Sequence, residues 1–244
     1  VHYTSILPNP EQIKGIRKLI YQLKYKLIYS WLPLRLVYKW FVPHHADVEI
    51  AFVEGFATKL LAHSTNKQAK KIAWVHTDFE KHHWTNVIFK NKQNEEQTYS
   101  RYHQIVTVSV TVQKAFIKAF PLVKSLVKII YNPIDHEDII KKGKQYEPLP
   151  SKSKIRLISI GRLTKVKAYS RLLHIALRLK QSGYAFELWI LGDGEEREML
   201  QHYICKKQLE DCVTLWGFQT NPYAFMTQSD LFVCSSISEG YSTA

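Results

Sequence analysis

The 244 residues include 34 Lys and Arg against 21 Asp and Glu, which gives a formal net charge of +13. Hydrophobic residues make up 45% of the chain and charged residues 23%, values that are typical of a globular protein and exclude a disordered one. The positive charge favours an anionic partner, such as phosphate groups, nucleic acid or an acidic membrane surface. The length allows one large domain or two ordinary ones.

The three cysteines, Cys205, Cys212 and Cys234, form no CxxC pair and have no metal-ligand spacing. This pattern favours a reducing, cytosolic compartment and argues against structural zinc. No run of about eighteen apolar residues occurs, so no membrane-spanning helix is predicted. No signal peptide is visible, and because the chain begins with Val1 we expect that an upstream segment is missing.

The segment from Gln12 to Ala46 contains no acidic residue and mixes lysines and arginines with aromatic and aliphatic residues. A basic helix with an apolar face is suited to a surface of anionic lipids. A helix packed on a sheet, with a solvated basic face, accounts for the same pattern. Nucleic acid is the weakest alternative, because no recognised nucleic-acid motif accompanies the charge.

Apolar runs alternate with helical segments from residue 47 onward. Four strands are predicted in the first half, in DVEIAFVE (47–54), KIAWVH (71–76), HQIVTVS (103–109) and VKIIYNPID (127–135). Ser109 is placed to cap the helix that follows the third strand. The polar stretch 136–154, which contains two prolines, is predicted to be a linker.

The alternation resumes after this stretch. Strands are predicted in KIRLISIG (154–161), AFELWILG (185–192), CVTLWG (212–217) and DLFVCS (230–235). The helix over 169–183 places Leu172, Leu173, Ala176 and Leu177 on one face, and Gly183 ends it. Strands that alternate with helices predict parallel α/β sheets, so the two runs indicate two Rossmann-like domains.

Ligands of open parallel sheets bind at the carboxyl ends of the strands, which directs attention to the loops that follow them. GRLTKVK (161–167) carries Arg162, Lys165 and Lys167, a set that can neutralise a diphosphate but is also compatible with an ordinary charged loop. The glycines of GDGEER (192–197) allow close approach of the backbone to an anion, although a plain tight turn is equally compatible. This is no GxGxxG fingerprint, so no nicotinamide cofactor is indicated.

Two further loops carry candidate residues. His76 ends a predicted buried strand, where a lone histidine more often has a structural role than a catalytic one. In SEGYS (238–242), Glu239 and Gly240 offer a carboxylate and backbone donors in a small volume, at what the sequence predicts to be a strand-to-helix corner.

Taken together, GRLTKVKAYSRLL, LWILGDGEEREML, VTLWGFQTNPYAFM and LFVCSSISEGYSTA resemble, in order and spacing, the family 4 glycosyltransferases (glycosyl transferases group 1). The first half resembles the acceptor-side domain of bacterial members that build surface polysaccharides, and the resemblance covers about residues 47–244. It implies the GT-B fold, an α/β architecture of two facing Rossmann-like domains with parallel sheets. We expect domains at 1–140 and 154–244, joined by a linker at 141–153.

The resemblance also implies roles for individual residues. Arg162 and Lys167 would hold the donor diphosphate, and Glu239 would bind hydroxyls of the transferred sugar. His76 would face that sugar from the other domain. Backbone donors of Gly240, Tyr241 and Ser242 would support sugar and phosphate, with a weaker contribution from the nucleotide-side loop glycines Gly161, Gly192 and Gly194.

Three departures from the family pattern are expected to matter. Ala168 stands where the family usually has glycine. The second glutamate of the family's E-x7-E motif would fall beyond Ala244, and the first N-terminal strand with its glycine-rich loop is not evident. We therefore expect a chain truncated at both ends, with both domains incomplete, that has little or no transferase activity by itself.

The predicted function is the retaining transfer of a hexosyl group from a UDP- or GDP-sugar to a lipid-linked glycan, in capsule, exopolysaccharide or cell-wall synthesis. The resemblance implies no metal and no cofactor, since the nucleotide-sugar is a substrate. We expect a cytoplasmic enzyme, peripheral at the inner face of the membrane through residues 12–46, with no nucleic-acid partner. The alternatives are a basic membrane- or nucleic-acid-binding module without catalysis, and a sugar-nucleotide epimerase of the same fold.

Overall fold

Two four-stranded parallel sheets organise the chain. The structure is a computed structural model that describes residues 16–42, 45–145, 147–242 and 244. Contacts divide the chain into two units, Val1–Asn132 and Pro133–Ala244, each built around one sheet.

The sheet of the first unit has the strand order β1-β2-β3-β4, with every neighbouring pair parallel. Its strands are β1 (Val48–Ala51), β2 (Lys70–Val75), β3 (Gln104–Thr107) and β4 (Val127–Ile129). Its helices are α1 (Ile16–Lys26), α2 (Leu34–Phe41), α3 (Phe56–Leu61), α4 (Lys92–Tyr99) and α5 (Val110–Ala119). Ser109 caps α5 by accepting a hydrogen bond from Val112 N, as the sequence predicts.

The basic N-terminal segment forms two helices, since a π-helical turn (Leu27–Trp31) and Pro33 separate α1 from α2. One face is buried in a small cluster of Ile28, Val37, Tyr38 and Leu60, the last of which lies on α3. Residues 12–15, 43 and 44, which complete the basic segment of the sequence, lie outside the described residues. Within the described part, no helix combines the length and apolarity that crossing a bilayer requires.

The sheet of the second unit has the order β7-β6-β5-β8, again with parallel neighbours. Its elements are α6 (His136–Gly143), β5 (Ile155–Ile160), α7 (Tyr169–Gln181), β6 (Phe186–Leu191), α8 (Arg197–Lys206), β7 (Val213–Gly217), α9 (Pro222–Thr227) and β8 (Leu231–Phe232). The predicted face of α7 packs into the main core of this unit. Gly183, at φ +80°, ends α7 in a Schellman turn in which Gly183 N and Tyr184 N donate to the carbonyls of Lys180 and Leu179.

Each predicted strand overlaps an observed one, and β2 begins one residue before its predicted start; two segments differ from the prediction. Helix α4 is not predicted, because its sequence KQNEEQTY is almost wholly polar. Helix α6 occupies the start of the segment interpreted as a linker: Asp135 caps it, and Thr227 Oγ1 on α9 donates to the Gly143 carbonyl. After β8, the described residues up to 242 form irregular backbone, at the corner from which the sequence predicts a helix to start.

Candidate functional site

The strand order of the second unit places a crevice beside β5. The chain proceeds from β5 to β6 and β7 on one side of β5, then returns to place β8 on its other side. The loops that leave β5 and β8 therefore diverge at the carboxyl edge of the sheet. Such a topological switch point is where open α/β sheets bind ligands.

Lys167 and Glu239 meet in this crevice. Lys167 Nζ donates to Glu239 Oε1 over 2.5 Å, and both side chains are about one quarter exposed, at 28% and 27%. Ser236 Oγ donates to the same carboxylate oxygen over 2.6 Å. The sequence predicts both residues as ligand groups, and the fold brings them into one ion pair.

Backbone contacts fix the loop that carries Glu239 against the loop that carries Lys167. Ser235 Oγ donates to the Lys167 carbonyl over 2.8 Å, and Ile237 N donates to the Val166 carbonyl over 2.8 Å. These bonds hold the residues after β8 against the loop that follows β5. The loops after β5 and β8 form the two walls of the crevice, and these hydrogen bonds set the spacing between them.

Three predicted glycines lie where the loops after β5 and β6 touch. A Cβ on Gly192, which has φ +132°, would lie 2.0 Å from the Gly161 carbonyl oxygen. A Cβ on Gly194 would lie 2.4 Å from the Leu163 carbonyl oxygen. Packing of one loop on the other therefore requires both glycines, whether or not their N–H groups meet an anion.

Arg162 is the exposed cation of the site. Its side chain lies at the surface of the loop after β5, and it makes no ion pair with any carboxylate in the part of the chain that the structure describes. An arginine in that position is free to form a bidentate bond with a phosphate. Gly240 and Tyr241 are half-buried in the loop after β8, while Ser242 lines the crevice.

Tyr169 also lines the crevice, and the sequence analysis does not select it. It is the first residue of α7, it is buried, and burial raises its pKa to about 12. A Cβ on Gly161 would lie 3.0 Å from the Tyr169 hydroxyl, so the glycine admits this ring. The only signal in the sequence was its place immediately after the basic loop.

The crevice is nearly closed without a ligand. Its cavity is about 10 Å³, room for about one water molecule, whereas ligand pockets have about 300 Å³ or more. A diphosphate that binds there must therefore separate Lys167 from Glu239. A wider, open depression along α8 is lined by Arg197, Gln201 and Cys205, but it lies on one helix face and not at the strand ends.

His76 lies in the first unit, at the end of β2. Its Nε2 is 2.9 Å from the Phe52 carbonyl oxygen, and its ring meets the edge of the Phe52 ring at 5.0 Å between centroids. Because a carbonyl only accepts, Nε2 carries a proton and donates to Phe52 O, and Nδ1 is the ring nitrogen on the other side. The ring is half-buried, so Nδ1 is suited to accept from a hydroxyl.

Two parallel sheets, and a crevice at the switch point of the second sheet lined by a cation and an acid, define a Rossmann-like α/β protein. Residues 139–244 match the model of the family described as glycosyl transferases group 1.

Individual proteins that resemble the chain carry glycosyltransferase names. The chain is 28% identical over 205 residues to an uncharacterized glycosyltransferase of Methanocaldococcus jannaschii, covering 82% of the chain and 50% of the relative. It is 35% identical over 126 residues to the N-acetylgalactosamine-N,N'-diacetylbacillosaminyl-diphospho-undecaprenol 4-alpha-N-acetylgalactosaminyltransferase of Campylobacter jejuni, covering 52% of the chain and 33% of the relative. The chain thus spans half or less of these two relatives.

Solved structures show the same fold. The Anabaena protein HepE in complex with UDP and glucose aligns with a TM-score of 0.63 at 19% identity, covering 93% of this chain and 59% of that one. The structure of TarM aligns with a TM-score of 0.63 at 17% identity, covering 79% of this chain and 37% of that one. The fold is therefore GT-B, as the resemblance implied.

Proposed function

We propose that this protein is a glycosyltransferase that moves a hexosyl group from a UDP- or GDP-sugar to a lipid-linked glycan, with retention of configuration and without a metal. The observation that carries this proposal is the Lys167–Glu239 pair at the switch point of the second sheet. A cation and an acid in one crevice match the two ends of a nucleotide-sugar, which has a dianionic diphosphate and a hydroxyl-rich sugar.

Arg162 and Lys167 hold the diphosphate in this proposal. Both lie on the loop after β5, so they can contact adjacent phosphates of one ligand. As the sugar bond breaks, negative charge grows on the leaving diphosphate, and fixed cations stabilise it most in that state. Because Arg162 has no carboxylate partner among the described residues, it can provide this charge without first breaking an ion pair.

Glu239 binds the sugar hydroxyls, while Gly240, Tyr241 and Ser242 support the sugar and phosphate through their backbone. When the diphosphate takes Lys167, the carboxylate of Glu239 loses its cation and needs donors in exchange. Sugar hydroxyls supply such donors. The diphosphate thus takes the place of Glu239 beside Lys167, and the sugar takes the place of Lys167 beside Glu239. His76 is proposed to take part through Nδ1, the ring nitrogen that does not bond to the Phe52 carbonyl.

The names of the relatives support the substrate class. The Campylobacter jejuni relative is named for transfer to a diphospho-undecaprenol-linked sugar, and HepE was solved with UDP and glucose. Other relatives are named for lipopolysaccharide core and amylovoran synthesis. We extend from these names to a uridine nucleotide as the first donor to test, and to a lipid-linked glycan of a bacterial surface or cell-wall polysaccharide as the acceptor.

The helices α1 and α2 are proposed to rest on the anionic inner face of the membrane, which makes the enzyme cytoplasmic and peripheral. Their outer surface exposes eight large apolar residues: Leu19, Ile20, Leu23, Leu27, Trp31, Leu36, Trp40 and Phe41. The same surface exposes Arg17, Lys24, Lys26, Arg35 and Lys39. Apolar side chains that enter the headgroup region, together with cations that meet lipid phosphates, complement an anionic bilayer and are unsuited to water alone.

A thermal-shift panel of UDP-, GDP- and ADP-sugars tests the donor proposal. A bound donor at 100 times its Kd adds about 2.7 kcal/mol to the free energy of unfolding, which raises the melting temperature by several degrees. We expect this rise with UDP- or GDP-sugars and a much smaller rise with UMP, which lacks the diphosphate. If no nucleotide-sugar raises the melting temperature above UMP, the proposal fails.

A further inference from the structure

The segment EGFATK (54–59) follows β1. Its charged side chains form hydrogen bonds with the backbone of residues 76–88. It opens with Glu54 and ends with Lys59, which lies within helix α3. The proposed function gives no role to either residue. Their contacts lie entirely within the first unit.

Glu54 holds the backbone at His76. Its side chain is only 4% exposed, and its Oε1 accepts from both His76 N and Thr77 N over 2.6 Å. Burial of a carboxylate costs free energy unless hydrogen bonds compensate for lost water, and two short bonds to one oxygen do so here. The carboxylate thus fixes the corner at which the chain leaves β2.

The imidazole of His76 is held by the same stretch of chain. Phe52 O accepts from Nε2 over 2.9 Å and the Phe52 ring packs at its edge, two residues before Glu54. Residues 52–54 therefore fix the backbone, the ring orientation and the tautomer of His76 together.

Residues 76–88 are called the histidine segment here. Lys59 holds its far end. Its Nζ donates to the Ile88 carbonyl over 2.9 Å, and partial burial beside Lys90 lowers the pKa of its ammonium. Between the two ends, Trp84 Nε1 donates to Thr77 Oγ1 over 3.1 Å.

Gly55 lets the histidine segment lie against EGFATK. It has φ +88°, and a Cβ there would lie 2.7 Å from Ile88 Cδ1 and 2.8 Å from Trp84 Cη2. Any side chain at residue 55 would push the segment away.

We infer that Glu54, supported by Lys59, is a positioning residue that fixes the backbone and ring of His76 for its proposed role in transfer. This inference rests on the proposed transferase function. A hydroxyl or amide could cap a chain corner at lower cost, so a buried carboxylate with two donors points to a need for fixed geometry. Displacement of a reacting group by about 1 Å can cost 100-fold in rate, which is the scale of the effect.

The experiment compares Glu54→Ala, Glu54→Gln, Lys59→Met and the exposed control Lys124→Met. Nitrogen-15 NMR of the imidazoles reports the His76 tautomer, with His76→Gln used for assignment. We expect one Nε2–H tautomer in the wild type, in Glu54→Gln and in Lys124→Met, and averaged tautomers in Glu54→Ala. Glu54→Gln retains the tautomer because its amide oxygen accepts from the same two N–H groups.

Transfer kinetics on a lipid-linked acceptor, measured with the same substitutions in the full-length protein, form the second readout. We expect kcat to fall roughly 10–100-fold in Glu54→Ala, with KM for the donor within about twofold, and to recover most of the way in Glu54→Gln. Lys59→Met should lower kcat by roughly 3–10-fold, because only the far end of the segment is released. Lys124→Met should match the wild type.

The inference is overturned if Glu54→Ala keeps a single Nε2–H tautomer, or if Glu54→Gln loses it as fully as Glu54→Ala does. If Glu54→Ala does not fold, the other two variants test the inference. It is contradicted if Lys59→Met has the kcat of the wild type and Glu54→Gln loses the single Nε2–H tautomer. Failure of the transferase proposal is recognised separately, by a wild type that neither binds nor transfers a donor sugar.

Discussion

Lys167 and Glu239 are separated by 72 positions in the sequence and form an ion pair at the carboxyl edge of the second sheet. The pair occupies the space between the loops that leave β5 and β8. The proposed ligand binding is therefore an exchange, in which a phosphate would replace the carboxylate at Lys167 and sugar hydroxyls would replace the ammonium at Glu239.

The exchange predicts opposite effects of removing the two partners. Glu239→Gln frees Lys167, so UDP should bind to this variant as tightly as to the wild type or up to several-fold more tightly. A UDP-sugar should no longer bind more tightly than UDP. Lys167→Met removes a charged donor to phosphate, worth about 1.5–3 kcal/mol, so both ligands should bind roughly 10-fold to 100-fold more weakly. Isothermal titration calorimetry measures the four dissociation constants.

Lys165→Met is the matched control for this pair, because Lys165 is an exposed lysine of the same loop. It should change either dissociation constant by less than about threefold, since an exposed, screened charge contributes little. A Glu239→Gln variant that weakens UDP as much as UDP-sugar would contradict the exchange.

Ala168 predicts a gain in stability on replacement by glycine. It adopts φ +51° and ψ +43°, a left-handed conformation that costs an L-residue about 1–2 kcal/mol and a glycine almost nothing. The extra freedom of glycine in the unfolded chain offsets part of this, so Ala168→Gly should raise the free energy of unfolding by about 0.5–1 kcal/mol. Urea unfolding measures it.

Ala176 provides the contrast, because it is buried in the interior of α7 with ordinary helical geometry. Ala176→Gly should lower the free energy of unfolding by about 1 kcal/mol. Equal destabilisation by both substitutions would show that Ala168 is not strained.

The membrane proposal predicts salt-dependent binding to anionic vesicles through α1 and α2. Each lysine near an anionic surface contributes about 1 kcal/mol, so Lys24→Ala and Lys39→Ala should each weaken vesicle binding about fivefold. Trp40→Ala, which removes a ring that is 63% exposed, should weaken it further without destabilising the fold. Flotation with phosphatidylglycerol vesicles at two salt concentrations measures the effect.

Lys206→Ala on α8 of the second unit is the control, and it should leave flotation unchanged. Equal binding to neutral phosphatidylcholine vesicles would rule out the electrostatic part of the membrane proposal. Tighter binding to single-stranded nucleic acid than to anionic vesicles would instead favour the alternative of a nucleic-acid-binding module.

Tyr38 predicts a loss of stability at alkaline pH. Burial, together with its hydrogen bond to the Glu49 carboxylate, raises the pKa of Tyr38 to about 12. Between about pH 10 and 12 the unfolded tyrosine ionises while the folded one stays neutral, so the free energy of unfolding falls as pH rises through this window. Below pH 10 the contribution is fully present.

Tyr38→Phe separates this effect from other alkaline transitions. At pH 7 it removes the donor to Glu49, whose other oxygen has no partner among the described residues, and should lower the free energy of unfolding by about 1–3 kcal/mol. Between pH 10 and 12, the free energy of unfolding of Tyr38→Phe should fall less steeply than that of the wild type. An unchanged slope in urea titrations across this window would contradict the assignment.

The sequence predicts the strands because each is a short apolar run, but it does not predict elements that pack through polar groups. Helix α4 buries Glu95, Thr98 and Tyr99, and only the tertiary hydrogen bonds of Glu95 to His83 and Thr85 make that burial favourable. Helix α6 has a short apolar face that matters only once α9 is beside it. Neither contact can be inferred from local periodicity.

In the candidate site, too, the sequence predicts the residues but not the contacts between them. Arg162, Lys167 and Glu239 are identifiable as loop residues after strands, whereas the contact of Lys167 with Glu239 depends on β8 returning to the far side of β5. Glu54 carries the weaker signal of an acid before a glycine at the end of β1, and only the fold shows that it meets His76. Long-range strand order is thus the information that the sequence pattern lacks.

The most direct test of the account is calorimetric titration of a UDP-sugar into the wild-type chain and into Arg162→Ala. Arg162 is exposed, so its removal leaves the fold unchanged, and the loss of a bidentate phosphate contact of about 1.5–3 kcal/mol predicts roughly 10-fold to 100-fold weaker binding. Equal donor affinity in Arg162→Ala and the wild type would contradict a nucleotide-sugar site at the crevice between β5 and β8.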